Sequence, residues 1–212
     1  NAYDGYEGWL DFKQLTEVSL EEFVSNHSCK YLAPAEIGNV ITDVQGSKYY
    51  ISPGSNLPSF NNGYCSIGVE KYKVLFNPWV IPPSEQVDVI NTALFFQNVP
   101  YLWGGKNLFG MDCSGFAQIV FKLNGIQLNR DAWQQAEQGT TVDFLPEVKP
   151  GDVAFFDNDE GRIIHVGIML NATDIIHASG KVRIDPMDNQ GIYNAELGRY
   201  SHKLRIIKRL TQ

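Results

Sequence analysis

The hydrophobic period of this chain changes once in its second half, and that change narrows the available folds more than any other feature. Two helix-period segments come first. Val87, Ile90 and Leu94 fall on one face of a helix that Ser84 can cap and that stops before Pro100. Phe116, Ile119, Val120 and Leu123 share one face of a second helix, predicted to begin at Cys113, with Gly125 where a C-terminal cap belongs. After the turn Lys149-Pro-Gly151 the pattern becomes that of strands: 152–156, 162–170, 173–178 and a last one near 204–207. Helices followed by antiparallel strands predict an α+β domain.

The chain ahead of this domain reads differently. From about Tyr31 to Pro82, short β-prone stretches (Val40-Ile-Thr42, Lys48–Ile51, Gly68–Phe76) alternate with Gly, Pro, Asn and Ser clusters, which predicts a small all-β barrel. Pro82-Pro83 forms a stiff boundary. Tyr3–Leu10 holds an Asp-Gly turn followed by aromatic residues suited to a short strand, the tail of another small β module. Ser19-Leu-Glu-Glu22 matches a capping box, predicting a helix over 19–26 with Leu20, Phe23 and Val24 as its apolar stripe. The expected organisation is therefore 1–30 as the end of one module plus a connecting helix, 31–82 as a second module, and 83–212 as the α+β domain. With 212 residues there is room for all three.

Charge and cysteine content exclude several functions. A formal net charge of −7 lacks the clustered cations that phosphate neutralisation needs, so nucleic acid is not an expected partner. No apolar run reaches the roughly 18 residues of a membrane span. Cys29, Cys65 and Cys113 allow one disulfide and one free thiol, with the pairing open, and no CxxC pair suggests zinc or dithiol chemistry. Oligomeric state is not readable.

The chemistry concentrates in three residues. Cys113 opens a helix, where unpaired amides and the positive end of the macrodipole favour a thiolate, and Gly104, Gly105, Gly110 and Gly115 let backbone approach the sulfur. Its own amide can serve as an oxyanion donor. Taken alone, such a cysteine is more often a buried apolar filler. His165 lies inside a predicted strand and shares a face with Ile163, Gly167 and Met169, Gly167 leaving space beside it. A hairpin through Asn171-Ala-Thr173 would set His177 on the neighbouring strand, where two histidines can meet across the ladder. Nucleophile, base and orienter are then all present, as a thiol hydrolase requires. A zinc site from the same residues is disfavoured, because separations of 52 and 12 residues miss the short paired spacings of structural zinc. No metal or cofactor is expected. His27 and His202 lack comparable context and read as surface residues.

With these residues in place the chain resembles the NlpC/P60 peptidases. Pro100-Tyr-Leu-Trp-Gly-Gly105 and Gly110-Met-Asp-Cys-Ser-Gly-Phe116 resemble the motif around that family's nucleophile. Arg130-Asp-Ala-Trp-Gln-Gln135, Lys149–Phe156, His165-Val-Gly-Ile168 and Ile176-His-Ala-Ser179 resemble its later blocks in the same order, over roughly residues 84–212. The resemblance implies a papain-like fold and a Cys, His, His triad at Cys113, His165 and His177. The N-terminal part is similar to bacterial SH3 modules, with Tyr6–Trp9 as the end of one and 31–82 as a divergent second. The front of the first is absent.

In the subgroup with two such modules, the resemblance implies cleavage between γ-D-glutamate and a diamino acid in peptidoglycan stem peptides bearing a free N-terminal L-alanine, the modules narrowing the cleft. It further implies that Asp112 pairs with that amine and that Ser114, Tyr101 and Tyr6 contact the substrate. For Asp112 a capping role at the helix start is the competing reading. The rival functions are a non-catalytic wall-binding protein and a thiol amidase or acyltransferase of the same superfamily. The expected compartment is the cell envelope, periplasmic or secreted, since the chain starts without Met; the cytoplasm, where stem peptides are recycled, is the other.

Overall fold

The computed structural model describes residues 3–27, 29–83 and 88–211. The chain forms two compact units, Asn1–Ile81 and Pro82–Gln212.

In the first unit α1 spans Leu20–His27. Ser19 Oγ accepts the Glu22 amide at 3.1 Å, the expected half of a capping box. The Glu22 carboxylate instead accepts the Gly68 amide at 2.6 Å. Leu20, Phe23 and Val24 are exposed. β1 (Tyr31–Leu32) pairs with β6 (Trp79–Val80), and β2 (Val40–Thr42), β3 (Lys48–Tyr50), β4 (Tyr64–Ile67) and β5 (Glu70–Val74) form a four-stranded antiparallel sheet in the order β3-β2-β5-β4. The stretch expected as one strand from Gly68 begins only at Glu70, because Gly68, at φ 58, turns the chain between β4 and β5. Leu57, Cys65 and Val74 make a small core under Ile41, Phe60 and Tyr72. Residues 3–10 correct the sequence expectation: they hold a turn but no strand, and Trp9 is fully exposed.

In the second unit α2 spans Val89–Phe95, capped by Asp88 through the Asn91 amide at 3.0 Å. Ser84 and Val87, assigned to this helix from sequence, lie outside the described residues. The two-stranded hairpin β7 (Lys106–Asn107) and β8 (Gly110–Met111) leads into α3, Cys113–Leu123. Its C-terminus is a Schellman motif: the Ile126 amide reaches the Phe121 carbonyl at 2.9 Å, the Gly125 amide reaches Lys122 at 3.0 Å, and Gly125 has φ 78. The single apolar stripe expected for α3 proves too narrow. Every residue but Lys122 is buried, as in a central helix, and polar Gln118 is satisfied internally by donating to the Leu128 carbonyl at 3.0 Å.

A one-turn helix α4 (Ala132–Gln135) follows, then β9 (Thr140–Val142), β10 (Val153–Asp157), β11 (Ile163–Met169), β12 (Asp174–Ser179), β13 (Lys181–Pro186), β14 (Gly191–Asn194) and β15 (Arg199–Arg209). They form one antiparallel sheet in the order β13-β12-β11-β10-β15-β14, with β9 also on β15. β10 is buried along its whole length, as a central strand covered on both faces must be. Ala154 and Phe156 join Met169, Ile175, Ile192 and Ile207 in one core, while α3 lies against β11 and β12.

Candidate active site

The site is assembled where α3 begins. Asp112 is its N-cap, accepting the Gly115 amide at 2.6 Å and, from the preceding loop, the Gly104 amide at 2.8 Å. Arg130 grips the same carboxylate at both oxygens, Nη1 to Oδ1 at 3.0 Å and Nη2 to Oδ2 at 2.6 Å, and Nη1 also donates to Ser114 Oγ at 2.8 Å. All three side chains are buried. A bidentate guanidinium fixes the start of α3 in both direction and rotation. Gly115 permits this fit, since a Cβ there would lie 2.4 Å from the Gly105 carbonyl oxygen and 2.8 Å from Asp112 Oδ1. The structure thus shows Asp112 in the competing role of helix cap, with charged and backbone donors on both oxygens. Ser114 Oγ is likewise drawn into this internal network.

Cys113 is buried at the head of the helix. The backbone groups of Val166, Ser114 and Cys113 itself lie near its sulfur and favour its charged form, so the thiol lies close to the residue that follows His165 on β11. The expectation of a favoured thiolate is also corrected. Burial, and after it the neighbouring Asp112 carboxylate, push the thiol up to about 11, outweighing the backbone groups. Tyr101 lies within electrostatic reach of both Cys113 and Asp112, and burial followed by these two groups raises its phenol, which stays protonated as a donor. Tyr6 belongs to the first unit, where its amide donates to Asp4 Oδ1 at 3.1 Å and its ring is half exposed.

The histidines meet as their registers dictate. His177 stands opposite Gly167 in the β11–β12 ladder. His165 Nε2 lies 2.9 Å from His177 Nδ1, both rings buried and perpendicular at 88°. The space left by Gly167 is occupied: a Cβ there would come within 2.8 Å of His177 Cβ and 2.7 Å of Ile175 Cδ1, so glycine lets the second ring reach the first.

Beyond them stands a residue that sequence reasoning missed. Asp185 Oδ2 lies 2.9 Å from His177 Nε2 and 2.7 Å from Arg183 Nε, and Arg183 in turn reaches Glu196 at 3.1 Å. Burial would raise the Asp185 carboxyl, but hydrogen bonds from His177 and Arg183 prevail and hold it below the ordinary value. This ionised carboxylate only accepts, so His177 Nε2 carries a proton and Nδ1 a lone pair. His165 Nε2 must then donate, which leaves the His165 lone pair on Nδ1. The orientation of the whole chain is set from Asp185.

His202, expected as a surface residue, is half-buried against the other two histidines. Its ring stacks on His165 with centroids 4.0 Å apart and planes at 24°. Burial, then His177, push it down to about 4, while burial, His202 and His177 hold His165 well below its ordinary value. His165, His177 and His202 each bring one ring nitrogen within 4.8 Å of the others, the one such group among the described residues with metal-ligating chemistry. The stacking of His202 on His165 works against that use, because one ion cannot lie in the planes of two stacked rings.

A buried thiol at a helix start, against a sheet that carries two hydrogen-bonded imidazoles, defines a papain-like α+β domain. Residues 98–199 match the NlpC/P60 family, and the chain carries an NlpC/P60 domain. It is 34% identical over 184 residues to the gamma-D-glutamyl-L-lysine dipeptidyl-peptidase of Bacillus subtilis, covering 82% of this chain and 60% of that protein. A Bacillus cereus protein of the same name is 29% identical over 213 residues, covering 89% of this chain and 62% of its own. The chain thus spans about three fifths of the length of these curated relatives. The crystal structure of an NlpC/P60 family protein from Bacillus cereus superposes with a TM-score of 0.73 at 24% identity, covering 98% of this chain and 71% of that one, which shows the fold. No described helix is long and apolar enough to cross a membrane.

Proposed function

We propose that this chain is a cysteine endopeptidase that hydrolyses the γ-D-glutamyl–L-diamino acid bond of peptidoglycan stem peptides with a free N-terminal L-alanine. One observation carries the reading: the buried line of His165, His177 and Asp185 leaves a single imidazole lone pair, at His165 Nδ1, beside the strand residue whose backbone lies close to the Cys113 sulfur. The names of the two relatives support the bond, and the word dipeptidyl in them supports a two-residue acyl side.

In this mechanism thiol and imidazole start neutral. Cys113 gives its proton to His165 Nδ1 as the sulfur attacks the γ-carbonyl, and the oxyanion is met by the Cys113 amide and the Tyr101 hydroxyl. His165 then passes the proton to the leaving amine. Water hydrolyses the thioester, His165 acting again as base, and the thiol is restored. His177 holds His165 in position and in the right tautomer. Asp112, Ser114 and Arg130 act by fixing the helix start. We also read residues 31–82 as an SH3-like module, a reading supported by the four short antiparallel strands there.

The test is direct. L-Ala-γ-D-Glu-L-Lys should be cut after D-Glu, as mass spectrometry of the products would show, and the N-acetylated peptide should react at least about tenfold more slowly, equivalent to roughly 1.4 kcal/mol in transition-state stabilisation. Cleavage at another bond, or none, would overturn the reading; equal rates on free and acetylated peptides would remove the free-amine requirement.

A further inference from the structure

A cavity of about 540 Å³ in the second unit opens beside the histidine cluster. Asp157, Asp159, Ile164, Tyr200, His202 and Lys203 contribute to its lining. Two of these place it next to the proposed chemistry: Ile164 precedes His165 on β11, and the His202 ring is stacked on His165 at 4.0 Å.

The lining contains an unmet polar demand. Asp157 ends β10, and its side chain is 4% exposed. Among the described residues its Oδ1 is buried without a hydrogen-bond partner, while Oδ2 makes a long ion pair with the exposed Arg205 at 3.7 Å, beyond hydrogen-bond range. A buried carboxylate oxygen with no donor is costly, and in a native structure it calls for an explanation. A donor arriving in the cavity would supply one, since the terminal torsion of aspartate is soft enough to turn either oxygen towards it. Exposed Asp159 adds a second negative charge, against one cation, Lys203, in the same lining.

Resting on the peptidase reading above, we infer that this cavity is the subsite for the leaving residue and that Asp157, with Asp159, receives the ammonium of that residue's side chain. His165 hands its proton to the leaving amine, so the leaving residue lies on the His165 side of the scissile bond. A diamino acid of the lysine type carries its second ammonium on a flexible four-carbon stem, long enough to pass the His202 ring and enter the cavity. The pairing replaces water around the ammonium with a carboxylate that the fold has left short of donors.

The experiment compares kcat/KM for L-Ala-γ-D-Glu-L-Lys with that for L-Ala-γ-D-Glu-L-norleucine, which has the same stem without the ammonium. Wild type is expected to favour the lysine peptide by at least about tenfold, the usual effect of losing a hydrogen bond to a charged group. Asp157→Asn should bring the ratio down to within about threefold, and Asp159→Asn, at an exposed position that tolerates change, should lower it partway. Equal wild-type rates on both peptides would overturn the inference while leaving the peptidase reading intact. A preference that survives both substitutions would overturn the assignment to these carboxylates. If Asp157→Asn does not fold, the wild-type ratio and Asp159→Asn decide. Failure to cut either peptide would instead count against the peptidase reading itself.

Discussion

Asp185 Oδ2 stands 2.9 Å from His177 Nε2, both groups buried, and this contact extends the Cys113, His165 and His177 set by a fourth member that holds the chain of imidazoles in one tautomer. Asp185→Asn exchanges an obligate acceptor for an amide that can also donate, so His177 is free to present a proton rather than a lone pair to His165. kcat should fall by at least about tenfold with KM little changed, because an imidazole held in the wrong tautomer cannot take the thiol proton. An unchanged kcat would show that Asp185 merely fills space.

The neutral thiol–imidazole pair makes a statement about acid pH. kcat/KM follows groups of the free enzyme, and His165 must be neutral to accept a proton. Burial, His202 and His177 hold His165 well below its ordinary 6.5, so it remains neutral as pH falls through that value. kcat/KM is therefore expected to stay level through pH 6.5 and to decline only further into acid. An acid limb centred at 6.5 or above would contradict the buried, neutral base.

Stability should respond in the same range with a definite sign. His202 titrates near 4 in the fold against 6.5 unfolded, so between those values the unfolded chain binds more protons. This contribution is complete above pH 6.5 and is lost as pH falls towards 4. His202→Phe keeps a ring on His165 and removes the titration, so the urea midpoint of the variant should drop less between pH 7 and pH 4.5 than that of the wild type. Parallel losses would mean that His202 is solvated.

Much of this site is legible in sequence because each part carries its own local pattern. Cys113 opens a periodic helix behind a run of glycines, and His165 and His177 lie in alternating strands joined by a short turn. Asp185 is not legible in that way: Lys181-Val-Arg-Ile-Asp-Pro186 alternates apolar and polar residues like a half-solvated strand, and only the β12–β13 register, with His177 opposite Arg183, brings Asp185 beneath the imidazole. His202 is hidden for a similar reason, as the β-bulges between Phe155 and Phe156 and between Ile192 and Tyr193 decide where its ring falls. The thiol pKa depends on burial from all sides, which the helical period of residues 113–123 understates because Ser114 and Gln118 look solvent-facing and are instead satisfied within the core.

The most direct measurement is the hydrolysis of L-Ala-γ-D-Glu-L-Lys by Cys113→Ala alongside wild type, with circular dichroism and the thermal midpoint confirming that the variant is folded. Removing a nucleophile costs several orders of magnitude, so the folded variant should retain less than about a hundredth of wild-type kcat/KM. A folded Cys113→Ala with activity above that level would contradict a mechanism that begins at this sulfur.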